Sequence, residues 1–423
     1  MRRFTEFQKH HFSIGTTYNE SIEFKRKLIF YHLPFNNFLN KYQLTLFLPI
    51  IYHLNMIYKP TSDIFFKRHS ECSASYGELI INHRKICTPI LWISYEFYSP
   101  KGLWKYVKNI KGILVNVHNI EERKTLTRRL LEGLDFRSII KFHGHIMLDC
   151  GGIKFAKGNK NFHLDNVLHL AKKVDPDIMI SPDYPISPFN SLRENKLRIK
   201  RTLQNLVKAS LFAKENSIPL MPVIHGYDLP YIDYMLKKVF KIINEINIIG
   251  IGSLVPLLVP FTIDKTKKVL DLILYLRKKL PNAFIHVFGM GSILTMHLAF
   301  LAGADSVDSQ SWIRSAGYGK IQVPGNGQLF VRKNDKKYKF KQWSKEAPKN
   351  FDCDCPICLE KGKKSLAWSK KFRAIHNAYT LCSEAQIVSK MIKNGEYVDF
   401  IKQRLKNTVL FNLFKYVQSK TQM

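Results

Sequence analysis

The stretch Leu301–Gly319, LAGADSVDSQSWIRSAGYG, contains the end of one structural unit and the start of the next. An apolar helix end stops at Gly303, a residue suited to a tight turn, and a very short strand then delivers Asp308 between Val307 and Ser309. A carboxylate there sits where a β-strand leaves the core and can meet a ligand. Two readings of Asp308 are open at this point. It is the centre of an active site, or it caps the helix that follows, a common place for Asp after a strand.

Working outward, the same rhythm recurs. Short runs rich in Ile, Val and Leu appear at Pro89–Ile93, Ile113–Val117, His145–Asp149, Asp177–Ser181, Leu220–His225, Ile248–Gly252, Ala283–Phe288 and Asp305–Asp308. Amphipathic stretches long enough for helices lie between most of them, including Leu197–Glu215, Tyr231–Asn244 and Lys265–Lys279. Eight such alternations, with strands that read as continuous apolar runs, are the pattern of an α/β (β/α)8 barrel. An open doubly wound sheet is the alternative, but no Gly-rich phosphate loop follows the first strand.

A barrel places function at the C-terminal ends of its strands. Those ends carry Asp149-Cys150-Gly151-Gly152 on the third strand and Asp183 just beyond the fourth. The fifth carries His225-Gly226, the sixth Gly252-Ser253, the seventh Phe288-Gly289 and the eighth Asp308. Three carboxylates, a histidine and several glycines therefore face one mouth. Glycine lets a backbone N–H approach a ligand closely, so the mouth reads as a pocket for a flat, polar group.

The charge points to the partner. Sixty-six Lys and Arg against 33 Asp and Glu give +33 across 423 residues. A folded protein so basic repels itself unless it works beside a polyanion, so nucleic acid is the first expectation and an anionic membrane the second. The bland alternative is a solvated basic surface. No segment reads as transmembrane: Pro281–Ala304 is interrupted by Gly289 and Gly291, and Tyr42–Tyr58 is short and carries Gln43, Pro49, His53 and Asn55. Arg2, Arg3 and Glu6 are followed by no apolar signal core. The seven cysteines are not spaced as a disulfide framework, which suits a reducing cytoplasm.

Three segments are expected: a basic extension at 1–86, the barrel at 87–332, and a zinc-bearing part with closing helices at 333–423. The extension reads as a small helical cap or as an arm on nucleic acid, without a catalytic constellation. The basic run Lys333–Lys349, interleaved with Tyr338, Phe340 and Trp343, is either a solvated face or a backbone-contacting segment. Beyond it, Cys353, Cys355 and Cys358 form C-x-C-x2-C, a spacing that suits tetrahedral Zn2+ in a closed structural site. His376 and Cys382 both stand near enough in sequence to be the fourth ligand, and three free thiols brought together by chance is the uninteresting alternative.

From about Thr88 to Asn377 the motifs resemble those of the tRNA-guanine transglycosylases, and look most like the branch that acts on DNA. LDCGG at 148–152 stands for that family's DSGG, and DIMISPD at 177–183 for its strand ending in a base-reading Asp. VIHG at 223–226, GIGSLVPLL at 250–258, HVFGMG at 286–291 and GADSVDS at 303–309 follow, then the cysteine cluster with His376-Asn377. The resemblance implies a zinc-containing barrel that exchanges a guanine for a 7-deazaguanine, such as 7-cyano-7-deazaguanine, without cutting the strand. It implies Asp308 as nucleophile and Asp149 as general acid and base. Asp183 would read the guanine edge, with His225, Gly226, Gly252, Ser253 and Leu254 around the base. His376 becomes the fourth zinc ligand.

Four positions depart from the family's pattern. Ile153 stands for an aromatic that stacks on the base, and Phe288 stands where a Met is found and is expected to supply the stack from the other side. His225 replaces a Gln near O6 or the 7-substituent, and Ser253 replaces a Gly. The polymer expected is DNA, because no RNA-binding domain of the archaeal kind follows His376, with tRNA as the alternative. Helper proteins that open a duplex are a further expected partner class. A non-catalytic nucleic-acid-binding subunit is the remaining reading, and the joint presence of Asp149, Asp183 and Asp308 speaks against it.

Overall fold

A computed structural model of the chain describes residues 64–69, 74–96, 102–152, 163–331 and 351–421. Ile153 and the basic run Lys333–Lys349 fall outside the described residues. The described part begins with an antiparallel meander, β1 (Ile64–His69), β2 (Tyr76–Ile81) and β3 (Arg84–Thr88). The parallel strands β4 (Ile90–Tyr95), β5 (Gly112–Asn116), β6 (His145–Asp149) and β7 (Ile178–Ile180) follow. Then come β8 (Leu220–Met221), β9 (Val223–His225), β10 (Ile248–Gly252), β11 (Phe284–Val287) and β12 (Ser306–Ser309).

Hydrogen bonding runs in the order β8-β7-β6-β5-β4-β12-β11-β10-β9, so the two edges of this sheet are β8 and β9, halves of one strand interrupted at Pro222. β8 pairs with β7 through Met179↔Leu220 and Ile180↔Met221, while β9 pairs with β10 through Gly250↔Val223 to Gly252↔His225. The Pro222 carbonyl itself accepts the Gly250 N–H at 2.9 Å. The run Leu220–His225 therefore closes the sheet, and the eight expected strands form a barrel.

Alternation along each strand sorts its side chains. Trp92, Leu114, Met147, Ile180, Val223 and Phe284 turn inward and share one apolar cluster with Phe66, Leu79, Ile81 and Ile86 of the meander. Leu91, Ile93, Ile113 and Val115 turn outward into a second cluster beneath the helices. The meander thus plugs the barrel at the N-terminal ends of its strands, with Phe66 edge-on to Phe284 at 5.6 Å. The opposite end stays open. Residues 1–86 were read as a helical cap or an arm on nucleic acid; the described part of that range, 64–69 and 74–86, forms strands and no helix. β2 and β3 meet in a two-residue turn with Asn82 and His83 both at positive φ (46° and 64°), the geometry of a type I′ hairpin.

The helices form where local signals and periodicity agree. Ser191 Oγ accepts the Glu194 N–H and caps Leu192–Glu215, a start five residues ahead of the expected helix at Leu197. Asp228 caps Leu229–Ile242, whose buried Ile232, Met235, Leu236 and Val239 follow the i, i+3, i+4, i+7 pattern of one apolar face. Thr262 caps Ile263–Lys279 in the same way. After β12, the helix Ser311–Gly317 leads into a hairpin, β13 (Lys320–Val323) with β14 (Gly327–Phe330), which the strand rhythm did not predict. The helix Lys370–Lys393 then packs against both. Among the described residues no helix is long and apolar enough to cross a membrane.

Candidate active site

The open end gathers the predicted acids. Asp308, near the end of β12, accepts the Gly289 N–H at Oδ1 (2.8 Å). Gly289 turns that N–H inward with φ +81°, a conformation that favours glycine. Gly291 lies against the same strand so closely that a Cβ would stand 2.1 Å from the Asp308 carbonyl oxygen. The helix-capping reading of Asp308 is overturned. The helix that follows has Gln310 at its N-cap with no side-chain cap bond, and Ser309 Oγ, not Asp308, accepts the Ser311 N–H (3.2 Å).

Asp149 ends β6 beside Asn116, its register partner on β5. Asn116 Nδ2 donates to Asp149 Oδ2 (2.7 Å), and the Gly151 N–H donates to Oδ1 (2.9 Å). Burial, then the nearby charge of Asp183, push the Asp149 pKa up to about 7; the Gly151 amide opposes this and Asp308 adds to it. A carboxyl at that value holds and releases a proton near neutral pH. The adjacent Cys150 thiol donates to the Ile180 carbonyl (2.8 Å), and burial pushes its pKa far up, so it is an inert packing residue.

Asp183 lies on the loop beyond β7, which the next helix tethers. Thr202 Oγ1 accepts the Tyr184 N–H (2.9 Å) and Arg198 donates to the Pro185 carbonyl (2.7 Å). Gly152 makes room for the carboxylate, since a Cβ there would stand 2.3 Å from Asp183 Oδ1. Across the mouth, His225 Nε2 sits 3.0 Å from Asp183 Oδ2 but off the direction of a hydrogen bond, so that buried nitrogen makes none. Ser253 Oγ is 3.0 Å from His225 Nδ1 and accepts the Ile186 N–H at 2.8 Å. Gly252 leaves space for the imidazole, its Cβ position being 3.0 Å from Nδ1.

The other expected positions divide. Phe288 lies above Gly250 and meets the His286 ring edge-on at 4.4 Å, at the top of the barrel interior. A Cβ at Gly226 would be pressed against Ile232, and the Leu254 side chain is buried in the outer apolar cluster. Three residues at this end had no reading from sequence: Asn116, His286, and Glu96 just beyond β4, whose Oε1 accepts from Gln310 Nε2 (2.6 Å). The signal for Asn116 and Glu96 was available, because each follows an apolar run at a strand end. His286 sits inside such a run, where an inward-pointing polar residue leaves no local mark.

The cysteine cluster is assembled as well. The donor atoms of Cys353, Cys355, Cys358 and His376 all lie within 4.8 Å of one another. His376 Nδ1 faces the three sulfurs at 3.3, 3.5 and 3.6 Å, while Nε2 sits 3.1 Å from the Gln322 carbonyl, which fixes the ring as a ligand through Nδ1. The Cys358 N–H also points at Cys355 Sγ (3.3 Å). This soft, closed donor set fits a tetrahedral metal site of the structural kind. Cys382 is buried elsewhere, with its pKa pushed up to about 12 by burial, and is not part of the group. Asn377, next to His376, ties the cluster to the barrel. Its side chain accepts the Gln322 N–H (2.7 Å) and donates to the Trp312 and Lys320 carbonyls.

Comparison with known proteins agrees with this geometry. A family profile described as queuine tRNA-ribosyltransferase matches residues 71–409. The tRNA-guanine(15) transglycosylase of Methanosarcina mazei is 24% identical over 353 residues, covering 81% of this chain and 67% of the relative. That of Methanococcus aeolicus is 24% identical over 81% of this chain and 52% of its own length, and that of Pyrococcus furiosus 26% over 79% and 55%. The chain thus spans between about half and two thirds of the curated relatives it matches. With the family profile matched over most of its length, on a closed barrel bearing the three acids and the Cys3His cluster, the chain belongs to the queuine tRNA-ribosyltransferase family, the tRNA-guanine transglycosylases.

Proposed function

We propose that the protein exchanges a guanine within a polynucleotide for a free base of the guanine type, through a covalent ester between Asp308 and the sugar. The observation that carries this reading is the convergence of Asp149, Asp183 and Asp308 on one open barrel end, where none has a Lys or Arg ion pair among the described residues. Breaking an N-glycosidic bond develops oxocarbenium character at the sugar carbon, which Asp308 stabilises and then captures; a second displacement restores the configuration. The leaving base needs a proton and the incoming base must lose one. Asp149, with a pKa of about 7, serves both directions.

Asp183 accepts the N1 and N2 hydrogens of guanine, a donor pair that adenine lacks, so adenine would leave a buried carboxylate unpaired. His225, held by Ser253, stands over the same edge, and Phe288 closes the far side as a stacking face. Cys353, Cys355, Cys358 and His376 hold a structural zinc, and no chemical step passes through it.

The polymer best supported is tRNA, since that is the word in the names of the relatives the chain matches. DNA is the second reading, favoured by the resemblance of the motif set to the DNA-acting branch. The net charge of +33 serves phosphate contacts with either. A paired exchange assay separates them: protein with 7-cyano-7-deazaguanine is given bulk tRNA in one tube and plasmid DNA in another, and the digested nucleosides are weighed. A 7-deazaguanine ribonucleoside from the first tube alone establishes the tRNA reading, and a deoxynucleoside from the second alone establishes DNA. Silence in both, with Asp308→Ala as the blank, removes the enzyme reading of the isolated chain.

A further inference from the structure

His286 is in the middle of β11, fully buried at the top of the barrel interior, and the chemistry described above does not use it. Its Nδ1 lies 2.7 Å from Ser306 Oγ on the neighbouring β12. Among the described residues the Ser306 hydroxyl has no other hydrogen-bond partner, and we assign it as the donor to Nδ1, which puts the imidazole's own proton on Nε2. That nitrogen is buried and makes no hydrogen bond, and the charged group it faces is Asp308, with Oδ1 3.6 Å away. The opposite tautomer would set a lone pair against a carboxylate.

The same construction occurs on the other side of the mouth. There Ser253 holds Nδ1 of a buried histidine, and Nε2 of His225 faces Asp183 at 3.0 Å without a directed bond. Two acids at one barrel end are thus each backed by a serine-held imidazole. A buried donor left unmade beside a charged acceptor is unfavourable, so closing the 3.6 Å gap between Nε2 and Oδ1 is favoured.

We propose that His286, held by Ser306, is a positioning residue for the nucleophile: with the Gly289 amide it holds Oδ1 of Asp308 and stabilises that carboxylate as the leaving group in the second half of the exchange. The inference rests on the assignment of Asp308 as nucleophile. In the first half, the free oxygen Oδ2 attacks the sugar carbon, the bond to the base breaks, and the departing base takes the electron pair and a proton from Asp149. In the second half, the incoming base gives a proton to Asp149 and attacks. The sugar–Oδ2 bond then breaks and its electron pair returns to the carboxylate. The full charge exists on Asp308 only in the free enzyme, so donors at Oδ1 favour the free carboxylate over the ester and hasten its release.

The test follows the ester itself. Wild type, His286→Phe, His286→Gln and Ser306→Ala are incubated with end-labelled bulk tRNA and, separately, labelled plasmid fragments. The covalent adduct is read on a denaturing gel, then chased with excess guanine, with melting curves run alongside. The expected result is that guanine releases the His286→Phe adduct about 10- to 100-fold more slowly than the wild-type adduct, the effect of one lost hydrogen bond to a charged group. His286→Gln, which keeps an N–H near the position of Nε2, restores most of that rate; a role in packing alone would not be rescued by a polar side chain. Ser306→Ala, a milder change, slows release in the same direction by less and serves if His286→Phe does not fold. Release at the wild-type rate in a folded His286→Phe or Ser306→Ala protein, while the wild type forms its adduct normally, overturns this inference alone. A wild type that exchanges bases with no adduct at Asp308 overturns the nucleophile assignment and this inference with it.

Discussion

The two ends of the barrel both bury carboxylates, but they treat them in opposite ways. At the plugged end Asp177 receives Arg84 (3.0 Å), Arg137 (2.7 Å) and the Ile146 N–H (2.7 Å). Burial there would raise its pKa, but the nearby His145 ring, the Ile146 amide and the Arg137 guanidinium outweigh it and hold the carboxyl well below its usual range. Asp305 is bound by Arg277 and by the Ile285 N–H (2.8 Å), although burial still pushes its pKa upward. At the open end Asp149, Asp183 and Asp308 are met by amides, an asparagine and histidines, with no guanidinium or ammonium ion pair among the described residues. Arginine neutralises an acid so that it holds the fold; neutral donors orient an acid and leave its charge for a ligand.

Paired substitutions at the two ends sharpen this contrast. Asp308→Asn is expected to lower base exchange by at least about 10⁴-fold, the usual scale for losing a nucleophile, with no drop in melting temperature. Asp177→Ala is expected to do the reverse. It strands Arg137, whose side chain is only 13% exposed, and costs about 3–5 kcal/mol in a denaturant titration, while any protein that remains folded keeps its chemistry. If both changes act on stability, or both on turnover, the division between the ends fails.

A third change acts from a distance. Cys355→Ser, or a strong zinc chelator, should melt the C-terminal helices and cost several kcal/mol, because a structural site contributes its binding energy to folding. Since Asn377 joins the cluster to the Trp312 and Lys320 carbonyls just after β12, activity should fall in parallel with the helical signal and not ahead of it. Gly291→Ala tests the placement of the proposed nucleophile, Asp308, more finely. Its methyl would displace the Asp308 carbonyl, and misplacement on the order of 1 Å lowers turnover roughly 100-fold with a smaller stability change.

The barrel was legible because strands covered on both faces read as uninterrupted Ile, Val and Leu, and all eight runs are strands in the fold. The meander and the β13–β14 hairpin were not legible. Phe65-Phe66-Lys67-Arg68 mixes aromatics with charge, and the Asn82-His83 turn lacks the glycine that usually marks its type. The acids at the mouth were found by position alone, since a residue at a strand end is exposed to the reading. His286 was hidden because only the inward turn of one strand, with Ser306 beside it, distinguishes it from its apolar neighbours. Gly226 shows a second demand on a strand-end glycine: a Cβ there would stand 2.6 Å from Ile232, so packing alone already favours glycine at that position.

The smallest expected effect concerns the thermodynamic cost of the site itself. Asp149 has its pKa raised from 3.8 to about 7 by burial first and by Asp183 second. Below the unfolded value both states are protonated, and the fold bears no penalty. Between about pH 4 and pH 7 the unfolded chain ionises this group while the folded one keeps its proton, so stability falls as pH rises and levels off above the folded pKa. Asp149→Asn removes that ionisation. Its amide can still accept the Gly151 N–H, so the variant should gain stability over wild type that grows from near zero at pH 4 to about 1–4 kcal/mol at pH 8, while exchange is lost. Arg137→Ala at the plugged end should show no such pH-dependent gain and should be destabilising across the same range. A stability difference for Asp149→Asn that stays flat between pH 4 and pH 8 would mean the carboxyl is ionised throughout. It would then be unable to carry a proton to the departing base.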